Sequence, residues 1–153
     1  MSDRSRRRAM RMGRIAKVGD TFARVAEAGW AARLATLRAE QQRLSAVADY
    51  CQDYAALSIE REAQVRHVLA WRQTRDFSNW LAQLSVEQER KVAQAEFLVE
   101  AAAEEVAKKR GFAKALNMIA DKAAAEVRRD VARREQRELE ALWRPAERTD
   151  LAS

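Results

Sequence analysis

The sequence predicts an all-α protein, a long antiparallel two-helix coiled-coil hairpin. Only 4 Gly and 1 Pro occur in 153 residues, too few turn-forming residues for a sheet or for a fold of many short elements. Ala, Leu, Glu, Arg and Gln dominate the composition, as is typical of long helices and coiled coils. Apolar residues also recur at steps of three and four, which places them on one stripe of a helix.

These patterns predict one hairpin domain over residues 1–153. Helix one is expected at about 13–60 and helix two at about 76–143, the ranges in which the apolar spacing is kept. Helix two should stop before Pro145, because proline disfavours helix in the residue before it. A basic arm of residues 1–17, an apex of about 61–75 and a C-terminal tail of residues 144–153 complete the chain.

The apex has neither Gly nor Pro between Ser58 and Ser78. Only Thr74, Asp76 and Ser78 are plausible caps for helix two. The alternative is one uninterrupted helix that dimerises. The hairpin is favoured because the apolar stripe loses its spacing between the two helices.

A register that places Tyr54 opposite Phe77 matches the two stripes along their length and puts the apex near residues 65–66. It sets large residues against small ones. The pairs that it predicts include Arg43 with Gln88, Leu34 with Phe97, Trp80 with Cys51 and Gly19 with Phe112.

The positive charge is concentrated at the N-terminus. Residues 1–17 contain seven Lys or Arg and one Asp, a net charge of 7 − 1 = +6, which equals the net charge of the whole chain. Such an arm could attract phosphate, an anionic membrane or an acidic protein surface. The alternative is a solvated, frayed terminus.

No catalytic, cofactor-binding or metal site is expected, and the chain is not expected to be an enzyme. One His and one Cys cannot assemble a protein-only zinc cluster, no phosphate-binding glycine motif occurs, and His67 is expected to face solvent on a helix. The lone Cys51 indicates a reducing compartment. No apolar stretch approaches the roughly 20 residues needed to cross a bilayer, so a cytoplasmic location is expected.

The segment Tyr50-Cys-Gln-Asp-Tyr54, followed by Trp71 and by Phe77-Ser-Asn-Trp-Leu81, resembles the FliJ and YscO family of flagellar and virulence type III secretion. The family pattern is Tyr-x3-Tyr late in helix one and aromatic-x3-Leu early in helix two, before an Arg/Glu-rich C-terminal end. The likeness covers roughly residues 37–142. Arg43 and Leu84 depart from the amide and the small residue that the family tends to have, so the choice between the two secretion systems stays open.

The resemblance implies a non-enzymatic stalk that links a hexameric export ATPase to the cytoplasmic domain of the export-gate protein. Secretion chaperones are further candidate partners, nucleic acid is not expected, and the membrane export apparatus is reached only through partners. The implied gate contact comprises Val47, Tyr50, Tyr54, Phe77, Leu81, Leu84 and Gln88. The implied ATPase contact comprises Arg4, Arg6, Arg7, Arg8, Arg11, Arg14, Arg128, Arg129, Arg133 and Arg134.

Two other functions are compatible with the residues alone. An Arg-rich helical hairpin can bind nucleic acid through its phosphates, although the arm has no Phe, Tyr or Trp before Phe22. A generic coiled-coil scaffold or chaperone is the other alternative.

Overall fold

The computed structural model describes residues 2–62 and 68–150, with side chains described for 3–60 and 68–144. Helix α1 spans Ser2–Glu62 and helix α2 spans Val68–Asp150. The two helices pack against each other as an antiparallel hairpin, so the predicted all-α fold is confirmed. The predicted apex near residues 65–66 and His67 lie outside the described residues.

Both helices are longer than predicted. The basic arm is part of α1, which is consistent with the good helix propensity of Arg, Met and Ala. Helix α2 begins at Val68 instead of about 76. The Thr74 hydroxyl donates to the carbonyl of Ala70 at 2.9 Å within the helix, so Thr74 does not cap the start of the helix. The stop expected before Pro145 was wrong, since α2 continues to Asp150.

The hairpin divides into two compact units, each with its own line of contact between the helices, here called the seam. The central unit is Ala26–Val106, and its buried α2 residues recur at coiled-coil spacing. These residues are Leu81, Gln88, Val92, Ala95 and Val106. The assignment of the whole chain to one domain stays a prediction.

The terminal unit joins α1 up to Val25 with α2 from Ala107. Among its residues with described side chains, the buried ones are all small: Ala16, Gly19, Ala23, Ala113 and Ala123. A Cβ atom placed on Gly19 would lie 2.8 Å from Leu116 Cδ1 and 3.4 Å from the Cα of Ala113, so the backbones approach closely at this level. The absence of a side chain at Gly19 permits this approach.

The register is confirmed at Tyr54 and Phe77, whose ring centroids are 4.5 Å apart. Elsewhere three predicted pairs are wrong. Gly19 lies against Ala113 and Leu116 while Phe112 is 55% exposed.

The other two errors have the same physical origin, an aromatic ring that lies beside the seam instead of in it. Phe97 is 68% exposed and cannot fill the seam at Leu34. Trp80 is half exposed and packs beside Phe77 rather than being buried against Cys51. Gln88 is in the seam as predicted, but it bonds to Glu40, one turn from Arg43.

Candidate functional site

An apolar groove of the central unit lies where residues of α1 and α2 meet around the aromatic cluster. It has a volume of about 440 Å³. Its walls are mostly apolar, with a cation and an amide among them. The lining residues are Arg43, Ala46, Val47, Tyr50, Phe77, Trp80, Leu81, Leu84 and Gln88.

Aromatic rings form one wall of this groove. Phe77 contacts Tyr54 of α1 across the seam, with ring planes at 60°, and contacts Trp80 of its own helix at 5.6 Å between centroids. Phe77 and Trp80 lie three residues apart and therefore on the same face of α2. Tyr50, Phe77 and Trp80 are all exposed, although rings of this size are usually buried. The wall is therefore an exposed and largely apolar surface.

A hydrogen-bonded polar cluster lies at Gln88. Gln88 Nε2 donates to the backbone carbonyl of Glu40 at 3.0 Å and to Glu40 Oε2 at 2.6 Å. Arg43 Nη1 donates to the other carboxylate oxygen of Glu40 at 2.9 Å, and the Arg43 side chain is still 67% exposed. The cluster fixes the register of the two helices at this level while it leaves a guanidinium accessible at the groove.

The structure brings six of the seven predicted gate-contact residues into one groove, and the seventh, Tyr54, packs against Phe77. Sequence reasoning left out three residues of the lining: Arg43, Ala46 and Trp80. Trp80 was missed because it was assigned to the seam. Trp80 lies three residues after Phe77 and one residue before the seam residue Leu81. This spacing is the signal that places Trp80 beside the seam, on the face that carries Phe77.

The predicted ATPase-contact arginines all lie in the terminal unit, on exposed helix surface. Four of them, Arg4, Arg7, Arg8 and Arg11, line a shallow hollow of about 620 Å³ together with Asp3. All the residues that line this hollow are charged, unlike those of the groove of the central unit. Arg128, Arg129, Arg133 and Arg134 are exposed on α2.

Within residues 2–62 and 68–150, no group of three or more His, Cys, Asp or Glu is placed to hold a metal ion. Neither helix has a described segment that is long and apolar enough to cross a membrane.

The fold and the groove together define a class of protein: a two-helix coiled-coil hairpin with an exposed aromatic surface. Residues 17–140 match the family described as "Flagellar FliJ protein". The chain belongs to this family and is a protein of the flagellar export apparatus, which confirms the resemblance found in the sequence. The family is one of non-catalytic export components. No curated protein and no solved structure gives a significant match.

Proposed function

We propose that this chain is a coupling protein of flagellar export that contacts the export-gate protein through the aromatic groove and the export ATPase hexamer through its basic helix ends. The groove of the central unit is the observation that carries the proposal. The protein would act on the cytoplasmic side and would reach the membrane only through the export-gate protein and the ATPase.

The chemistry of the groove supports a protein contact. Tyr and Trp supply large contact areas at low entropic cost and are enriched among the residues that dominate binding energy. Tyr50, Phe77 and Trp80 are exposed on one apolar wall. Arg43 at the same groove can pair with a carboxylate of the partner. We therefore expect the gate segment to insert an apolar side chain and to carry an acidic residue near it.

The groove can be tested by the affinity of the full chain for the purified cytoplasmic domain of the export-gate protein. The double variant Tyr50→Ala with Trp80→Ala should raise Kd by about 30-fold, since truncation of hot-spot aromatics costs about 2 kcal/mol or more. Helicity should be unchanged because both side chains are more than half exposed.

Phe97→Ala is the matched control, because Phe97 is exposed in the same unit but does not line the groove. It should bind like the wild type. An unchanged Kd in the folded double variant, or an equal loss in Phe97→Ala, would remove the gate assignment.

The charge of the terminal unit supports the ATPase contact. A cationic surface attracts an acidic partner, and such contacts mainly raise the association rate and weaken with salt. Replacement of Arg6, Arg7, Arg8 and Arg11 by Glu should abolish stimulation of the cognate ATPase and spare gate binding.

The control for this variant replaces the same four residues by Lys, which keeps the charge and should retain most of the stimulation. Wild-type stimulation should fall as ionic strength rises. Normal stimulation of the ATPase by the Glu variant at low salt would mean that the basic arm contributes only to solubility. Loss of nuclease-sensitive binding in lysate by that variant would favour the nucleic-acid alternative instead.

A further inference from the structure

The terminal unit has an apolar surface that its seam does not use. On α1 the exposed apolar residues Ile15, Val18 and Phe22 follow one another at steps of three and four, and so lie on one stripe of the helix. On α2 Phe112 and Ile119 are exposed one heptad apart. Rings and branched side chains of this size are ordinarily buried, so their common exposure requires an explanation.

The register brings the two sets to the same side of the helix pair. Ile15 and Phe22 each immediately precede a buried alanine on α1, and Phe112 immediately precedes buried Ala113 on α2. In an antiparallel pair, residues that precede seam positions on both helices lie on one side. Residues that follow seam positions lie on the other side, where Asn117 Nδ2 donates to Asp20 Oδ1 at 2.8 Å.

The exposed apolar residues of α1 and those of α2 also lie at the same height along the helix axes. Gly19 lies against Ala113 and Leu116, and the Lys109 ammonium lies 5.7 Å from the centroid of the Phe22 ring. Since the helices run antiparallel, Phe22 falls beside the turn that carries Phe112, and Ile15 falls beside the turn that carries Ile119. The two helices thus present one exposed apolar surface on this side of the line where they meet, here called the flank groove.

The same stripes become cationic towards the N-terminus of α1 and the C-terminus of α2. The three- and four-residue steps that connect Phe22, Val18 and Ile15 continue on α1 to Arg11, Arg8 and Arg4. On α2 the steps from Phe112 and Ile119 continue to Lys122, Glu126, Arg129 and Arg133. All seven of these charged residues are exposed. The flank groove is therefore followed by a surface with six cations and one carboxylate.

We infer that the flank groove and its cationic extension dock a third helix from a partner protein, with an apolar stripe followed by a run of Asp and Glu. A groove between two helices accepts the ridge of a third helix. The stripe from Arg4 to Phe22 covers 19 residues, which corresponds to a partner helix of about 28 Å. A second copy of this chain would bring like charges together, so the charge pattern favours an acidic partner.

This inference goes beyond the proposed ATPase contact, because it adds the apolar flank groove and the kind of segment that would bind there; it shares Arg4, Arg8, Arg11, Arg129 and Arg133 with that contact. It can be tested with the full chain and a labelled amphipathic peptide of about 20 residues, with Leu on one face of its first half and Glu on the same face of its second half. The wild-type chain should bind this peptide and lose affinity as salt is raised. The variant Phe22→Ser with Phe112→Ser should bind at least about tenfold more weakly.

Two controls isolate the surface. Phe97→Ser removes a still more exposed ring from the central unit and should bind the peptide like the wild type. A peptide with the same Leu positions and Lys in place of Glu should not bind. Because the experiment contains no export component, it can fail while the proposed function stands, and the reverse also holds.

The inference would be overturned by equal binding of the Lys peptide, by equal binding of the Glu peptide to the Phe22→Ser, Phe112→Ser variant, or by concentration-dependent dimerisation of the chain that this variant abolishes. The last result would assign the groove to a second copy. Tighter binding of the wild-type chain to vesicles of anionic lipid than to the Glu peptide would assign it to a membrane surface instead.

Discussion

The two units of the hairpin use opposite residues to hold their helices together. The central unit buries Leu81, Val92 and Val106, whereas the described side chains that the terminal unit buries are alanines, with Gly19 buried against the facing backbone. A close approach of backbones leaves no room between the helices for rings. The phenylalanine rings of the terminal unit therefore lie on its flank, where Phe22 and Phe112 are more than half exposed.

The difference shows that apolar periodicity identifies the apolar face of a helix. It does not identify which of two neighbouring stripes on that face forms the seam. A stripe of large residues beside a stripe of alanines has two possible packings. In the terminal unit the alanine stripe forms the seam, and the bulky stripe is left as a surface.

The largest effect on stability is expected when a buried leucine of the central unit and an exposed phenylalanine of the terminal unit are each replaced by alanine. Leu81→Ala in the central unit should lower the free energy of unfolding by about 2–3 kcal/mol, since it removes a buried side chain that is 6% exposed. Phe112→Ala in the terminal unit should cost less than about 1 kcal/mol despite its larger side chain, because that ring is mostly in solvent. Urea unfolding followed by circular dichroism measures both. A larger loss for Phe112→Ala would reverse the assignment of the seam.

The close approach at Gly19 gives the next largest effect. Gly19→Leu should destabilise the chain by about 1–3 kcal/mol, because the added side chain collides with Leu116 and with the backbone of Ala113. The control is Gly111→Leu in the same unit, whose Cβ atom would meet nothing within 4 Å. It should be stabilising by up to about 1 kcal/mol through helix propensity. Similar melting temperatures for the two variants would show that the backbones are not in contact at Gly19.

The polar contacts between the helices also differ between the two units, and their removal should have smaller effects on stability. Gln88→Leu should cost about 1–2 kcal/mol, since it leaves Glu40 Oε2 without the Gln88 donor in a seam where Gln88 is 6% exposed, although Arg43 still donates to Glu40 Oε1. Asn117→Ala should cost about 0.5–1 kcal/mol, because the Asn117–Asp20 bond is only part-buried. Thermal unfolding of the two variants gives the order. A greater loss for Asn117→Ala would mean that the terminal unit depends more on its polar contact.

Much of the fold could be predicted from the sequence. The scarcity of Gly and Pro and the apolar stripes lead to two helices, and the Tyr54–Phe77 contact follows from matching those stripes. Helix ends were less predictable, because Thr74 can cap a helix or bond back to the carbonyl of Ala70 with similar ease. Pro145 likewise weakens a helix without always ending it.

The candidate site was predicted in outline for a specific reason. The Tyr-x3-Tyr and Phe-x3-Leu segments mark one end of the central unit, and six residues named from them line the groove. Trp80 and the accessible guanidinium of Arg43 were not foreseen as parts of it, since their exposure depends on which stripe enters the seam. The flank groove of the terminal unit was hidden for the same reason, because Phe112 was assigned to the seam opposite Gly19.

The central claim is that the export gate contacts the aromatic groove, and site-specific photocrosslinking tests it most directly. A photoreactive phenylalanine analogue at Trp80 replaces one exposed ring by another within the groove, and the same analogue at Phe97 probes exposed surface outside it. With the purified cytoplasmic domain of the gate protein, crosslinks should form from position 80 and not from position 97. Crosslinks of equal yield from both positions, or none from position 80 in a chain that still binds the domain, would contradict the account.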